Sequence, residues 1–348
     1  MEHASLIDAV SPEDFGRFDD ALDYLWPAEH RFDPETGEPA RLGLAVSGGP
    51  DSLALLLLAA ASQPGAIAVA SVDHGLRPEA AEEVALVRDV CAELGVPFTA
   101  LEVNLAHGNL QARAREARYE ALIAWVRAEG LGALATAHHA DDQAETLLMR
   151  LARGSGLSGL AGVRAYQPYE ADGHEHPIPL LRPLLSWRKA ELEAIVADAG
   201  IIPARDPSNK ETRFDRVRVR DHLAANEWLD PHTLAISAEH LAEAWRAIEW
   251  YAELDWEEMV AREEDGVSLR YTANVPRIIQ IETVRRIVSE LGGVVTRGEA
   301  GRAADRLWRG ENASLGGVLG VASVEKIAPV GVEMRVWRFS PEPPRRMH

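Results

Sequence analysis

Apolar residues in this chain gather in short runs separated by longer amphipathic stretches. The runs Leu42–Val46, Ile67–Val72, Phe98–Val103 and Ala133–Thr136 have the length and composition of buried strands. Between and after them, Leu53–Ala61, Glu79–Leu94, Gln111–Glu129 and Asp141–Leu151 read as helices, the second closed by Gly95 and Pro97. Alternation of this kind predicts an α/β fold, a doubly wound parallel sheet with helices on both faces. Ligands of such a sheet collect at the carboxyl ends of its strands.

The remaining pattern divides the chain. Residues 1–40 read as an acidic leader with a helical piece near Phe15–Leu25, followed by proline- and glycine-rich linker chemistry up to Pro39. Residues 41–230 carry the sheet and its motifs. Within them, residues 153–182 are rich in glycine and proline and read as a long loop, a candidate lid. Ser186–Gly200 reads as a helix with Ser186 as its N-cap. From Pro231 the pattern changes to helical stretches bearing Trp245, Trp250 and Trp256, then strand-like pieces at Val267–Tyr271 and Val332–Phe339. Residues 231–348 therefore form one or two smaller, mostly helical accessory domains.

Three polar motifs fall at predicted strand ends. The first is Ser47-Gly48-Gly49-Pro50-Asp51-Ser52, between the first strand and its helix. Glycines let the backbone close on phosphate oxygens, and free amides with the helix dipole face the negative charge. Ser47 and Ser52 add hydroxyl donors. Asp51 would be repelled by phosphate unless a divalent cation lay between them, which points to Mg²⁺ bridging Asp51 to a polyphosphate. The loop lacks the lysine of a P-loop kinase motif. The competing explanation is a tight turn in which Ser52 caps a core helix.

The second motif, Asp73-His74-Gly75, ends the second strand, where backbone groups near Asp73 and His74 can meet adenine or ribose; an ordinary turn around Gly75 competes. In the third, Asp142 and Glu145 are i and i+3 on the first turn of a helix and so share a face. Such a pair suits the ammonium of an amino acid or Mg²⁺; a solvated acidic helix start is the plainer reading. His138 and His139 precede it, but the chain offers no partner motif to complete a zinc shell. Arg115 and Arg118, also i and i+3, can neutralise an α-phosphate or meet an RNA backbone, with a solvated helix face as the competitor. Arg205, Arg213, Arg216, Arg218 and Arg220 follow the turn Asp206-Pro207-Ser208-Asn209 and make a basic stretch suited to RNA phosphates. Internal ion pairs with Glu211, Asp215 and Asp221 compete there.

Charge adjusts this picture without overturning it. A net charge of −19 argues at first against a nucleic-acid partner. Residues 1–40 contribute 11 acids against 2 bases, about half of that total, so the arginine clusters stand in a less acidic remainder. The 348 residues suffice for two or three domains. No apolar run approaches the ~20 residues that cross a bilayer, so no membrane partner is expected. The one cysteine, Cys91, lies among Val90, Ala92 and Leu94, reads as a buried structural thiol and fits a reducing cytoplasm.

Taken in order, Ser-Gly-Gly-Pro-Asp-Ser, Asp-His-Gly-Leu-Arg, Gln-Ala-Arg…Ala-Arg-Tyr, His-His-Ala-Asp-Asp-Gln-Ala-Glu-Thr, Arg-Gly-Ser-Gly-Leu-Ser-Gly-Leu, Arg-Pro-Leu-Leu and Asp-Pro-Ser-Asn resemble the bacterial tRNA(Ile)-lysidine synthetases, a branch of the PP-loop ATP pyrophosphatases. The resemblance covers roughly residues 41–230 and is loose beyond. It departs in Phe214–Asn226, where Asp215-Arg216-Val217-Arg218 replaces the family's Arg-Asn pair before Xaa-Arg.

The resemblance implies a PP-loop fold and a two-step reaction. ATP would adenylate the carbon-2 oxygen of the wobble cytidine in an isoleucine tRNA with a CAU anticodon. Free lysine would then displace AMP to leave lysidine. It further implies ATP held by Ser47–Ser52 with Asp73 and His74, Mg²⁺ on Asp51, and lysine on Asp142 and Glu145. Arg118 and Arg115 would act at the α-phosphate, with tRNA on the arginines from Arg205 to Arg220. Two alternatives remain: a tRNA 2-thiolation enzyme, which needs a thiolate set, and a nucleotide-binding module without catalysis, which needs neither the acidic pair nor the basic helix.

Overall fold

The computed structural model describes residues 6–32, 37–73, 79–103, 110–170, 176–204, 215–226, 228–327 and 331–342. The chain separates into two compact units, residues 1–242 and 243–348.

In the first unit α1 (Pro12–Leu25) precedes the alternation β1 (Arg41–Ala45), α2 (Pro50–Ser62), β2 (Ile67–Asp73), α3 (Glu79–Leu94), β3 (Phe98–Glu102), α4 (Leu110–Ala128), β4 (Leu131–Ala135) and α5 (Ala140–Ala152). The short α6 (Leu157–Leu160), β5 (Tyr166–Tyr169), β6 (Ile178–Leu181), α7 (Lys189–Asp198), α8 (Asp215–Ala224) and α9 (Pro231–Met259) follow. The six strands form one sheet in the order β3-β2-β1-β4-β6-β5, parallel except for the edge strand β5.

Successive side chains of a strand point to opposite faces, so each face has its own core. Leu42, Leu44 and Val69 pack with Leu53, Leu56 and Leu57 of α2 and Ile195 of α7. Ala68 and Ala70, one step along β2, pack instead with Leu122, Trp125 and Val126 of α4. The near-continuous apolar runs of the sequence are the consequence of burial on both sides.

Two expectations change here. Residues 153–182 are not a long loop: they hold α6 and the β5–β6 hairpin, which extends the sheet. Their prolines sit where a strand tolerates them. Pro168 lies on the edge strand, and Pro179 faces it near the start of β6, outside the pairs that β6 makes with β4. The helix expected from Ser186 begins at Lys189 with Arg188 as its cap. Trp187 is fully buried and its amide donates to the Leu184 carbonyl at 2.9 Å, which holds the preceding residues in a turn.

The acidic leader also has an inward face. Ser11 caps α1, and Phe18 and Leu22 join the core against α2 with no exposed surface. Trp26 lies against Gly132, where a Cβ would meet its ring at 2.8 Å. Replacing Phe18 by alanine is expected to destabilise the unit by about 3–5 kcal/mol. The denaturation midpoint should fall accordingly, and an unchanged midpoint would show that α1 contributes nothing to this core.

The second unit begins within α9 rather than at its start, and it holds more strand than the sequence pattern indicated. Strands β7 (Val260–Arg262), β8 (Leu269–Thr272), β9 (Ala313–Leu315), β10 (Val318–Ile327) and β11 (Val332–Pro341) form an antiparallel sheet in the order β7-β8-β11-β10-β9. Helices α10 (Arg277–Glu290) and α11 (Arg297–Trp308) share its core through Val284, Ile287 and Leu307. Tyr271 and Trp337 meet edge to face there, 5.6 Å apart. Among the described residues no helix is long and apolar enough to cross a membrane.

Candidate active site

The loop after β1 turns sharply into α2. Gly48 has φ +85°, which favours glycine, and a Cβ there would meet the Glu83 carbonyl at 3.2 Å. Gly49 is the N-cap of α2 and Pro50 its first residue, so Asp51 lies in the first turn, where backbone amides lack helical acceptors. Ser52 ties the turn together: its hydroxyl donates to the Gly49 carbonyl at 3.0 Å and accepts from the Ser47 amide at 3.1 Å. The Ser47 hydroxyl lies 3.2 Å from it. Ser52 therefore acts inside the loop and does not cap α2, whose N-cap Gly49 receives no side-chain hydrogen bond. The Gly48 carbonyl accepts from the Ala204 amide at 2.9 Å, which fastens residue 204 to the loop.

Asp51 Oδ1 is buried without a hydrogen-bond partner, and Oδ2 lies 3.6 Å from His139 Nε2. His139, the N-cap of α5, is also 3.7 Å from Asp142 and 3.6 Å from Asp141. These are ion-pair separations, too long for hydrogen bonds. Burial disfavours a charge on His139, but Asp141, Asp51 and Asp142 outweigh it and push its pKa up to about 10. The residue is thus a buried cation between the glycine loop and the acidic motif. Its neighbour His138 is the opposite case. Burial, with Arg182, Arg115 and Arg118, pushes its pKa down to about 3 against the pull of Asp142.

Asp142 and Glu145 share a face of α5, and both are engaged by α8. Arg216 donates from Nε to Glu145 and from Nη2 to Asp142, at 2.7 and 2.8 Å. Arg220 donates to the other Glu145 oxygen at 2.7 Å. Glu145 is 1% exposed, so these charge-assisted bonds compensate an otherwise costly buried carboxylate. The Glu145 carboxylate in turn holds the Arg220 guanidinium above its usual pKa. A cavity of about 440 Å³ beside the pair is lined by His139, Asp141, Glu145, Arg188, Lys189 and Arg220, with Leu223, Leu229 and Pro231 as apolar wall.

Other expected residues fall as follows. Asp73 ends β2, on the strand next to β1, and its carbonyl accepts from the Val103 amide at 2.9 Å. Arg115 and Arg118 converge on the Tyr119 ring, 5.2 and 5.4 Å from its centroid, and both act on His138. Arg218 is exposed on α8. His74, Arg205 and Arg213 lie outside the described residues. Arg216 and Arg220 pair with carboxylates of α5. Cys91 is buried and its thiol is pushed up to about 12, as suits a structural residue. Among the described residues no three His, Cys, Asp or Glu side chains are grouped to hold a metal.

Sequence reasoning gave no role to Asp141, Gln143 or Arg188. Asp141 accepts the Lys189 amide at 2.8 Å and pairs with Arg188 at 3.2 Å, which seats α7 against α5. Burial alone would raise its pKa, but His139 and Arg188 hold the carboxyl well below the usual range. The Gln143 side chain brackets residue 163 with two bonds of 2.7 Å to its amide and carbonyl. These contacts join segments far apart in the chain and leave no local signal.

A parallel sheet whose first strand runs into a lysine-free glycine loop and helix defines a PP-loop nucleotide-binding protein, and a profile described as "PP-loop domain" matches residues 28–227. A tRNA(Ile)-lysidine synthase from Novosphingobium aromaticivorans is 46% identical over 88% of this chain and 90% of that one. Another, from Zymomonas mobilis, is 40% identical over the same shares. The chain belongs to the tRNA(Ile)-lysidine synthase family. Among solved structures, the U34-tRNA thiolase NcsA from Methanococcus maripaludis is similar with TM-score 0.51 and 18% identity, covering 66% of this chain and 80% of that one. That likeness is one of fold.

Proposed function

We propose that this protein is an ATP-dependent carbon–nitrogen ligase that converts the wobble cytidine of a CAU-anticodon isoleucine tRNA to lysidine. ATP is attacked at its α-phosphorus by the carbon-2 oxygen of the base, and pyrophosphate leaves. The amino group of free lysine then attacks carbon 2 and AMP departs. The observation that supports this order of chemistry is His139, which lies 3.6 Å from Asp51 and 3.7 Å from Asp142. The nucleotide loop and the acidic pair are one imidazole apart.

The loop amides of Gly48 and Gly49 receive the β- and γ-phosphates, a task of fixed dipoles aimed at developing charge. The unpartnered Oδ1 of Asp51 suits a cation, and a Mg²⁺ held by Asp51 would supply charge neutralisation for pyrophosphate. Backbone at Asp73 and His74 contacts the adenosine. Arg118, with Arg115 beside it, neutralises the α-phosphate. Asp142 and Glu145 receive the lysine ammonium, which replaces at least one of the guanidiniums that now occupy them. Arginines of the stretch from Arg205 to Arg220, displaced or facing solvent, meet tRNA phosphates.

Incubation with ATP, radiolabelled lysine and the isoleucine tRNA should place label in the tRNA and release AMP and pyrophosphate in equal amounts. Intact ATP binding without label in the tRNA would instead leave a nucleotide-binding module. A thiolation reaction would need thiolate ligands or carriers, and one buried cysteine does not supply that set.

A further inference from the structure

Free lysine carries two amines, and on ordinary pKa values the α-amine loses its proton more readily than the side-chain amine. A ligase that uses one of them selectively has to choose by position, through contacts with the part of the molecule that does not react.

The cavity of about 440 Å³ beside Glu145 has room for one free amino acid, and its lining includes both Glu145 and Lys189. Helix α5 sets these two apart. Asp141, which accepts the Lys189 amide at 2.8 Å, precedes Glu145 by four residues, a rise of about 6 Å along the helix axis. The four-carbon stem of a lysine covers a similar span. Leu223, Leu229 and Pro231 supply apolar wall against which methylenes can lie.

Most cations on this lining are already committed. Arg220 donates to Glu145 at 2.7 Å, and Arg188 pairs with Asp141 and Asp230 at 3.2 and 3.0 Å. Lys189 differs. Its side chain is half-buried, and among the described residues its ammonium meets only Glu193, at 3.9 Å, beyond hydrogen-bond reach. On the same lining His139 is 5% exposed, and its Nδ1 is buried without a hydrogen-bond partner. An ammonium with N–H groups to spare beside an unused buried ring nitrogen is an arrangement that a bound anion completes.

Resting on the reading under Proposed function, we propose that Lys189 sets the orientation of the free lysine in this cavity by pairing with its α-carboxylate. The stem then runs along Leu223, Leu229 and Pro231, and the ε-ammonium reaches Glu145, where it takes the place of Arg220. The α-amine stays a stem's length away from the tRNA base. An amine without a carboxylate satisfies one end of the cavity only, so Lys189 determines specificity through the part of the substrate that does not react.

The test varies the substrate at the end assigned to Lys189. AMP release by the full-length protein, with ATP and the isoleucine tRNA, is followed against lysine and against lysinamide, whose carboxylate is replaced by a neutral amide. The wild type should show a KM for lysinamide about 10–100-fold above that for lysine, the loss of one charge-assisted hydrogen bond. Lys189→Met should raise the KM for lysine by a similar factor and leave that for lysinamide within about twofold, so that the preference disappears. Lys189→Arg keeps the charge and should keep the preference. Asp141 bonds to the backbone amide of residue 189, a contact that both variants retain.

Equal rises for the two substrates would give Lys189 a structural role and overturn the proposal, as would a wild type that does not distinguish them. A wild-type protein that labels no tRNA with lysine overturns the function and this assignment together. A wild type that labels tRNA and prefers lysine to lysinamide, beside a Lys189→Met variant with the same preference, overturns this assignment alone.

Discussion

Replacing Asp51 by alanine is expected to abolish tRNA-dependent pyrophosphate release, a loss on the order of 10³-fold or more. Asp51 is placed by Pro50 and Gly49 in the first turn of α2, and its buried Oδ1 has no protein donor to satisfy it. A carboxylate beside a phosphate loop is electrostatically unfavourable unless it serves a cation. Alanine removes that anchor and also takes one of three carboxylates from around the buried His139 cation. Pyrophosphate release and Asp51-dependent Mg²⁺ titration measure the effect. A variant that turns over at a near-normal rate would exclude Asp51 from the chemistry.

Glu145→Ala is the second large effect, and it should fall on a different substrate. The KM for lysine is expected to rise by about 10–100-fold, the equivalent of one or two charge-assisted hydrogen bonds, with the KM for ATP nearly unchanged. Glu145 is 1% exposed and bridges Arg216 and Arg220, so its removal also releases both guanidiniums from α5. Steady-state kinetics with each substrate varied in turn separates the outcomes. Equal rises for lysine and ATP would point to a collapsed site rather than a lost amine contact.

Much of this site is local in the chain and for that reason legible in it. The turn Ser47–Ser52 joins one strand to one helix, so its spacing alone carries the expectation of an anion site. Asp142 and Glu145 share a helix face because they are three residues apart. The arginines that occupy them are 74 and 71 residues away in the case of Arg216, and 75 in the case of Arg220, with no periodicity to connect the two segments. The leader shows the reverse. It reads as an acidic leader with a helical piece near Phe15–Leu25, but only the structure shows that Phe18 and Leu22 of α1 and its C-cap Trp26 are buried.

The sequence by itself determined the alternation of strand and helix, the place of the glycine loop, and the identity of the side chains at the carboxyl edge. Those properties follow from interactions within one turn or one strand, where neighbours in the chain are neighbours in space. Only the tertiary structure decided that β5 and β6 extend the sheet, that α8 lies on α5, and that two adjacent histidines acquire opposite protonation. His138 and His139 have the same intrinsic basicity. Three carboxylates surround one, and three arginines together with burial depress the other, and the fold alone brings those charges together.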